Sequence, residues 1–235
     1  MTARVFHRDN CRLCHSTIVE KAVALAPIPL AEKYSTSAEI AHKIERFPID
    51  LYLCTNCGHV QVLDVIDSET LWDDYTYHSG QTKGIVDHFK EVTDNVLTEY
   101  PVAKGSLIID IGSNDGSLLR PFKEHGLRVL GIDPAQDIAR KATESGIDTL
   151  ASLLTKELTK NIIATHGKAS IVSAFNVFAH ADNMNEMAAC IVEMLDEKGI
   201  FVFEVQYLVD IIEKFLLGTI FHEHMSHHSL KPMIQ

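Results

Sequence analysis

From Leu107 onward the sequence keeps one rhythm: a short apolar run, a turn, an amphipathic stretch, then the next apolar run. The runs are "LIIDI", "RVLGI", a weaker "IDTL", "SIVSAF" and "IFVFEV", with helical patterns around Leu118 to His125, Ala135 to Ser145, Ser152 to Asn161 and Asn183 to Glu197. Strands that are apolar on both faces need cover on both, so the pattern predicts a parallel sheet flanked by helices, an α/β Rossmann-like core. In such open sheets, ligands bind outside the carboxyl ends of the strands.

The first strand runs into "DIGSNDG". Gly112 lets the backbone turn sharply and approach a ligand, and Gly116 seats the following helix. The G-x-G-x-x-G dinucleotide fingerprint is absent, because Asn114 and Ser117 occupy its second and third glycine positions, which argues against NAD. One strand later "GIDPA" places Asp133 where a carboxylate can bind both hydroxyls of a ribose. Asp110 with its glycines, followed by Asp133, is the arrangement an S-adenosylmethionine methyltransferase presents; an ordinary doubly wound turn with a solvated Asp is the plainer alternative.

The first 66 residues are different: short runs broken by Cys, Pro and Asn, with "FPIDLYLCTNCGHVQVLDV" reading as strand, Cys turn, strand. Cys11 and Cys14 form one C-x-x-C and Cys54 and Cys57 another, the second followed by Gly58. That spacing suits one closed, structural Zn²⁺ site with no open position for chemistry; two disulfides or chance thiols are the alternatives. Cys190 falls on an apolar helical face and reads as core. The predicted organisation is a zinc-binding β domain over 1–66, a linker and helix over 67–104, and the core over 105–235. In the linker helix Ile85, Phe89, Val92 and Val96 share a face, and Pro101 closes it.

Of 235 residues 46% are apolar, enough for a sizeable core, and 21 basic against 32 acidic residues give a net charge of −11. Without clustered Lys and Arg, nucleic acid is a poor partner. "AVALAPIPLA" is too short and too broken by Pro to span a membrane. Paired cysteines without an export signal indicate a reducing compartment, and the expected location is cytoplasmic.

"TIFHEHMSHHSL" holds four of thirteen histidines. It is not the H-E-x-x-H of a zinc protease, because Ser226 stands where the second His would be. His224 and His228, four residues apart, leave a two-ligand metal pair open; His227 and His228 are expected on the loop surface.

Taken together, the four-cysteine region, "YTYHSG", "DIGSNDGSLL", "GIDPA", "FNVFAH" and "TIFHEHMSHHSL" resemble the sugar C-methyltransferases, which methylate nucleotide-linked keto-deoxyhexoses in deoxysugar biosynthesis. The resemblance implies S-adenosylmethionine as cofactor, bound through Tyr75, Tyr77, Ser79, Asp110, Gly112, Asn114, Gly116, Asp133, Pro134 and Asn176. It also implies a structural zinc, a small nucleotide-sugar substrate, and acid–base roles for His180, Glu223 and His224. Two positions depart from the family: Phe221 stands where it usually has Tyr, and Gly218 where it usually has Asp.

The chemistry asks for such groups. Carbon methylation beside a ketone needs an α-proton removed, the enolate held, and its carbon presented in line with the sulfonium methyl. A His can be that base at neutral pH and a carboxylate can orient it, so Glu223 is expected to orient the base. His180 and His224 are expected on loops at the carboxyl ends of parallel strands; a solvated or capping His is the alternative. The resemblance further implies two closing antiparallel strands and a C-terminal domain not contained in these residues. The fifth strand is therefore expected to be an edge that a dimer or a partner chain would cover. A zinc- and cofactor-binding remnant, or a partner-dependent subunit without turnover of its own, is the competing expectation.

Overall fold

The computed structural model describes residues 5–31, 36–37, 43–67, 70–71 and 77–234. The chain divides into two compact units, one of residues 1–76, 178–184 and 205–235, the other of 77–177 and 185–204. The segment 205–235, expected to continue the parallel-sheet core, thus groups with the cysteine-bearing residues.

The second unit begins with a helix, α1 (Lys83–Glu99), and is organised around five strands: β6 (Leu107–Ile111), β7 (Arg128–Asp133), β8 (Thr149–Ala151), β9 (Ala169–Phe175) and β10 (Leu195–Glu204). Their order is β10-β9-β6-β7-β8 and all pairings are parallel, as the apolar strands predict. The chain runs outward from β6 to β8, then crosses to β9 on the other side of β6. That reversal between β6 and β9 is the switch point at which such sheets bind ligands. Phe89 of α1 is buried with Ile108, Leu118, Leu119, Phe122 and Ile171, and Ile85 and Val96 pack against this cluster. Phe89 also meets Phe175 edge-on at 5.9 Å, so the predicted face is the buried one.

Two predicted helix ends shift. The stretch expected over 152–161 is helical over Lys156–His166, because the Thr155 hydroxyl accepts the Leu158 N–H at 3.1 Å and starts the helix there. The helix expected to reach Glu197 spans Met184–Met194, and β10 begins at Leu195 opposite Ala169. Asp196 sets this early start: it accepts the Ser170 hydroxyl at 2.9 Å and the Lys198 N–H at 2.8 Å, where the β10 register shifts.

The first unit holds a four-stranded antiparallel sheet, ordered β11 (Ser226–His227), β4 (Val60–Val62), β3 (Leu51–Cys54), β2 (Val19–Val23), and a two-stranded ladder of β1 (Val5–His7) with β5 (Asp64–Ile66). The predicted strand, Cys turn, strand is β3, Cys54–Cys57 and β4. Ile49, Leu51 and Val62 form a small core with Leu25, Ile28, Val60 and Ile220. Among the described residues no helix is long and apolar enough to cross a membrane.

Candidate functional site

In the first unit the Sγ atoms of Cys11, Cys14, Cys54 and Cys57 all lie within 4.8 Å of one another. Cys11 and Cys57 are 3.8 Å apart and Cys14 and Cys54 3.6 Å, close to the ~3.8 Å edge of a tetrahedron with Zn–S of about 2.3 Å. Each C-x-x-C is closed by a backbone bond onto its first cysteine, His15 N–H to Cys11 O at 2.9 Å and Gly58 N–H to Cys54 O at 2.8 Å. The closing residue in both sits at positive φ, 59° for His15 and 84° for Gly58. All four are free thiols, and among the described residues theirs is the one cluster of three or more suited to a metal. Burial pushes the Cys11 and Cys57 thiols up, as expected of a site whose thiolates need a cation. The donor set fits zinc, with every ligand position filled by protein.

The glycine loop in the second unit is built from the carboxyl end of β6. Gly112 has φ 68°, and a Cβ there would come 2.2 Å from Val177 Cγ2; Gly116, at φ 78°, abuts Ile147 at 2.8 Å. Asp110 is buried and accepts the Ser173 hydroxyl at 2.7 Å. Desolvation pushes its carboxyl up to about 7, helped by the charge of Asp133 and resisted by Ser173. Asp133, also buried, accepts the Asn114 N–H (2.8 Å) on one oxygen and the Ala135 N–H (2.9 Å) on the other. Burial raises its pKa, and those two amides hold it down. Each oxygen keeps a lone pair for a further donor. Pro134, half-buried, leads from Asp133 into the helix Gln136–Glu144.

Asn114, at φ 49°, fastens the segment before α1 to this loop: its Oδ1 accepts the Ser79 N–H at 3.0 Å and its Nδ2 donates to Tyr77 O at 2.9 Å. Asp115 accepts the Gly80 N–H at 2.8 Å, where a Cβ on Gly80 would crowd it. Tyr77 and Ser79 are therefore at the loop, while Tyr75 lies outside the described residues. Asn176, after β9, has φ 56° and donates its amide to Glu204 at 3.2 Å; Glu204 also meets His88 at 2.6 Å.

His180 and His224 belong to the first unit, with ring centroids 5.0 Å apart. His180 ends a 3₁₀ turn, Phe178–His180, a few residues after β9. His224 is not at the end of a parallel strand as expected: it lies in the loop before β11, whose partner β4 is antiparallel. Its Nδ1 donates to Thr219 O at 2.6 Å, and Gln206 Nε2 lies 3.4 Å from its Nε2. The Thr219 carbonyl thus orients the ring, and Glu223, next to it in sequence, is buried. The Phe221 ring lies 3.9 Å from the His224 ring, centroid to centroid. Burial lowers the pKa of His224, and lowers His180 to about 3 with the nearby His224 adding to the effect. Both imidazoles are neutral at pH 7.

His227 and His228, expected on the surface, are each 2% exposed. The reason is β11: Ser226 and His227 extend the sheet on β4, and His228 packs against the rings of His59 and Phe178 at 5.7 and 5.9 Å. Among the described residues no third ligand joins His224 and His228, so no metal cluster forms there.

Residues 87–233 match the family described as "Methyltransferase domain". The chain belongs to that family. Residues 11–72 match a second family, "Putative zinc binding domain", so the methyltransferase domain of this chain is accompanied by a cysteine-bearing one. Among curated proteins the chain is 31% identical over 222 residues to the C-methyltransferase NovU of Streptomyces niveus, covering 94% of this chain and 53% of that protein. It therefore spans about half the length of this relative. Among solved structures, the plantazolicin methyltransferase BamL has a TM-score of 0.52 at 12% identity, covering 67% of this chain and 62% of that one. The plantazolicin methyltransferase BpumL, solved in complex with SAH, has 0.50 at 16%, covering 63% and 59%. At such identities the likeness is one of fold.

The sequence pointed to the cysteines, the glycine loop and the histidines. It did not point to Ser173, Thr219, Gln206 or Glu204. Ser173 alone left a signal, as a hydroxyl between the apolar residues Val172 and Ala174.

Proposed function

We propose that the chain is an S-adenosylmethionine-dependent C-methyltransferase acting on a nucleotide-linked ketosugar or a similar small keto substrate. The observation that carries this reading is the 31% identity to a C-methyltransferase over 94% of the chain. S-adenosylmethionine supplies an electrophilic methyl group on a sulfonium. Asp133 would hold the ribose hydroxyls through the lone pairs that the Asn114 and Ala135 amides leave, beside the loop from Gly112 to Gly116. Asn114 keeps Tyr77 and Ser79 at that loop.

His224 is the base. A carbonyl oxygen only accepts, so the Thr219 bond keeps the proton on Nδ1 and makes Nε2 the acceptor; the Gln206 amide donates to that lone pair at 3.4 Å, and the substrate's α-proton would take its place. The electron pair of the broken C–H bond is left on the substrate as an enolate, whose carbon would accept the methyl group that bound S-adenosylmethionine supplies. His180, neutral beside it, accommodates the proton that His224 gains. The zinc knuckles hold the fold and take no part in the chemistry. A reducing, cytoplasmic setting suits the five free thiols.

The test is transfer of a labelled methyl group to carbon across a panel of nucleotide-linked 4-ketohexoses, with calorimetry of cofactor binding alongside. Asp133→Ala is expected to weaken cofactor binding by one order of magnitude or more, since charge-assisted hydrogen bonds contribute about 1.5–3 kcal/mol. Tight cofactor binding with no turnover of any keto substrate would overturn the assignment in favour of a binding protein.

A further inference from the structure

Arg12 lies in sequence between two zinc-site cysteines, and its side chain is fully buried. A guanidinium taken out of water must satisfy its donors inside the protein, and the partners found here are informative. Nη1 donates to the carbonyl of Met225 at 2.5 Å and to Gln61 Oε1 at 3.3 Å; Nη2 lies 3.4 Å from Asp182 Oδ1. The Arg12 backbone N–H donates to the same Gln61 oxygen at 3.0 Å. Met225 directly follows His224, and Asp182 is two residues after His180. One side chain, rooted in the first cysteine knuckle, therefore grips the chain just after each histidine. Asp182 has a second hold, Arg8 Nη1 at 2.9 Å, and the Met225 carbonyl has Val62 N–H at 2.9 Å.

We propose that Arg12 is a positioning residue: fixed by the knuckle that zinc would close, it sets the placement of His224, and secondarily of His180, through Met225 and Asp182. This rests on the reading of the histidines as the groups that handle the substrate proton. It also gives the metal a consequence beyond local stability, because ligand cysteines on either side of Arg12 fix the backbone from which the guanidinium reaches. The asymmetry follows from the bonds. Asp182 keeps Arg8 when Arg12 is lost, whereas the Met225 carbonyl keeps only a backbone amide, so His224 is the more sensitive of the pair.

The experiment uses the full zinc-loaded chain and compares it with Arg12→Met, which keeps length and removes the donors, and with Arg12→Lys. Three quantities are read: zinc per chain by a colorimetric dye after thiol modification, imidazole resonances assigned through His180→Gln and His224→Gln, and methyl-transfer kinetics. Arg12→Met should retain one zinc and the same cofactor affinity. Its His224 resonances should move more than those of His180, while His125 and His166 of the other unit stay in place. Displacement of a reacting group by about 1 Å costs on the order of 10²-fold, and that loss should fall on kcat with the cofactor KM unchanged. Arg12→Lys, a single-point donor, should recover part of it. If Arg12→Met does not fold, Asp182→Asn supplies the measurement and should move His180 alone. Unmoved His180 and His224 resonances in folded Arg12→Met, or an unmoved His180 in Asp182→Asn, would overturn the proposal. Moved resonances in a chain that never transfers methyl would leave it standing and remove the functional reading instead.

Discussion

The Nδ1 of His224 lies 2.6 Å from the carbonyl oxygen of Thr219, five residues earlier in the same loop. This bond fixes the tautomer, and burial keeps the ring unprotonated at neutral pH. The pair leaves Nε2 as the acceptor atom of the ring. Phe221, whose ring covers the imidazole, contributes desolvation but no hydrogen-bond donor.

His224→Gln is therefore expected to lower turnover by about 10²- to 10⁴-fold, the range for loss of a general base, with cofactor affinity unchanged. The acid limb of the wild-type kcat profile should lie below pH 6.5, because the shift of His224 is downward. Exchange of the substrate α-hydrogen for deuterium, followed without cofactor, isolates this step; wild-type exchange rates in the variant would remove His224 from the role. Phe221→Tyr adds a donor beside the ring and should accelerate exchange if enolate stabilisation limits the rate.

The glycine loop offers a test through stability. Gly112→Ala places a methyl 2.2 Å from Val177 Cγ2 at a backbone φ of 68°, so crowding and conformational strain both act. Together they should destabilise the parallel-sheet unit by roughly 2–4 kcal/mol. Val177→Ala in the same chain removes the crowding but not the strain, and is expected to recover about half. Urea unfolding of the wild type, Gly112→Ala and the double variant measures this, and full recovery in the double variant would mean that strain at Gly112 is negligible.

How far these features were legible in the sequence depended on whether the information was local. The strand periodicity and the C-x-x-C spacing are properties of a few adjacent residues, and the sheet and the thiol cluster formed as read. Asp110 and Asp133 were recognisable for the same reason: each lies at the carboxyl end of a strand, next to last in β6 and last in β7. The burial of His227 and His228 was not legible, because it depends on β11 pairing with β4, a contact between residues 226 and 61 that no local pattern encodes. The use of the Thr219 carbonyl as a partner of His224 was hidden for another reason. Any residue can offer a backbone carbonyl, so nothing in the side-chain sequence marks the one that will be used.

Removing the metal should affect one unit first. The cysteine-bearing segments have small cores, Ile49, Leu51 and Val62 in one and Leu30, Phe47 and Ile66 in another, too few to hold the fold without a cross-link. Cys54→Ser, or chelation under reducing conditions, is expected to open residues 11–66 to limited proteolysis while α1 and β6–β10 keep their hydrogen-exchange protection. Unchanged protease resistance after complete metal removal would show that the protein core suffices.

Acid should act on the two units in opposite directions. In the first, burial lowers His180 to about 3 and His227 and His228 to about 4, with His224 also lowered. Below pH 6.5 the unfolded chain binds protons at these positions and the folded unit does not. Their contribution is thus complete above 6.5 and is lost as pH falls toward 4 and 3, by up to ~1.4 kcal/mol per pH unit for each histidine. In the second unit, burial raises Asp110 to about 7 and raises Asp133 as well. There the folded form takes up protons before the unfolded form does, so their contribution grows as pH falls from 7 toward the ordinary carboxylate value near 4. Hydrogen exchange at pH 7.5 and pH 5.5, corrected for the intrinsic rate, should show protection falling in β3 and β4 and holding or rising in β6 and β7. Parallel loss in both units would mean that Asp110 is ionised throughout and that Ser173 compensates its burial.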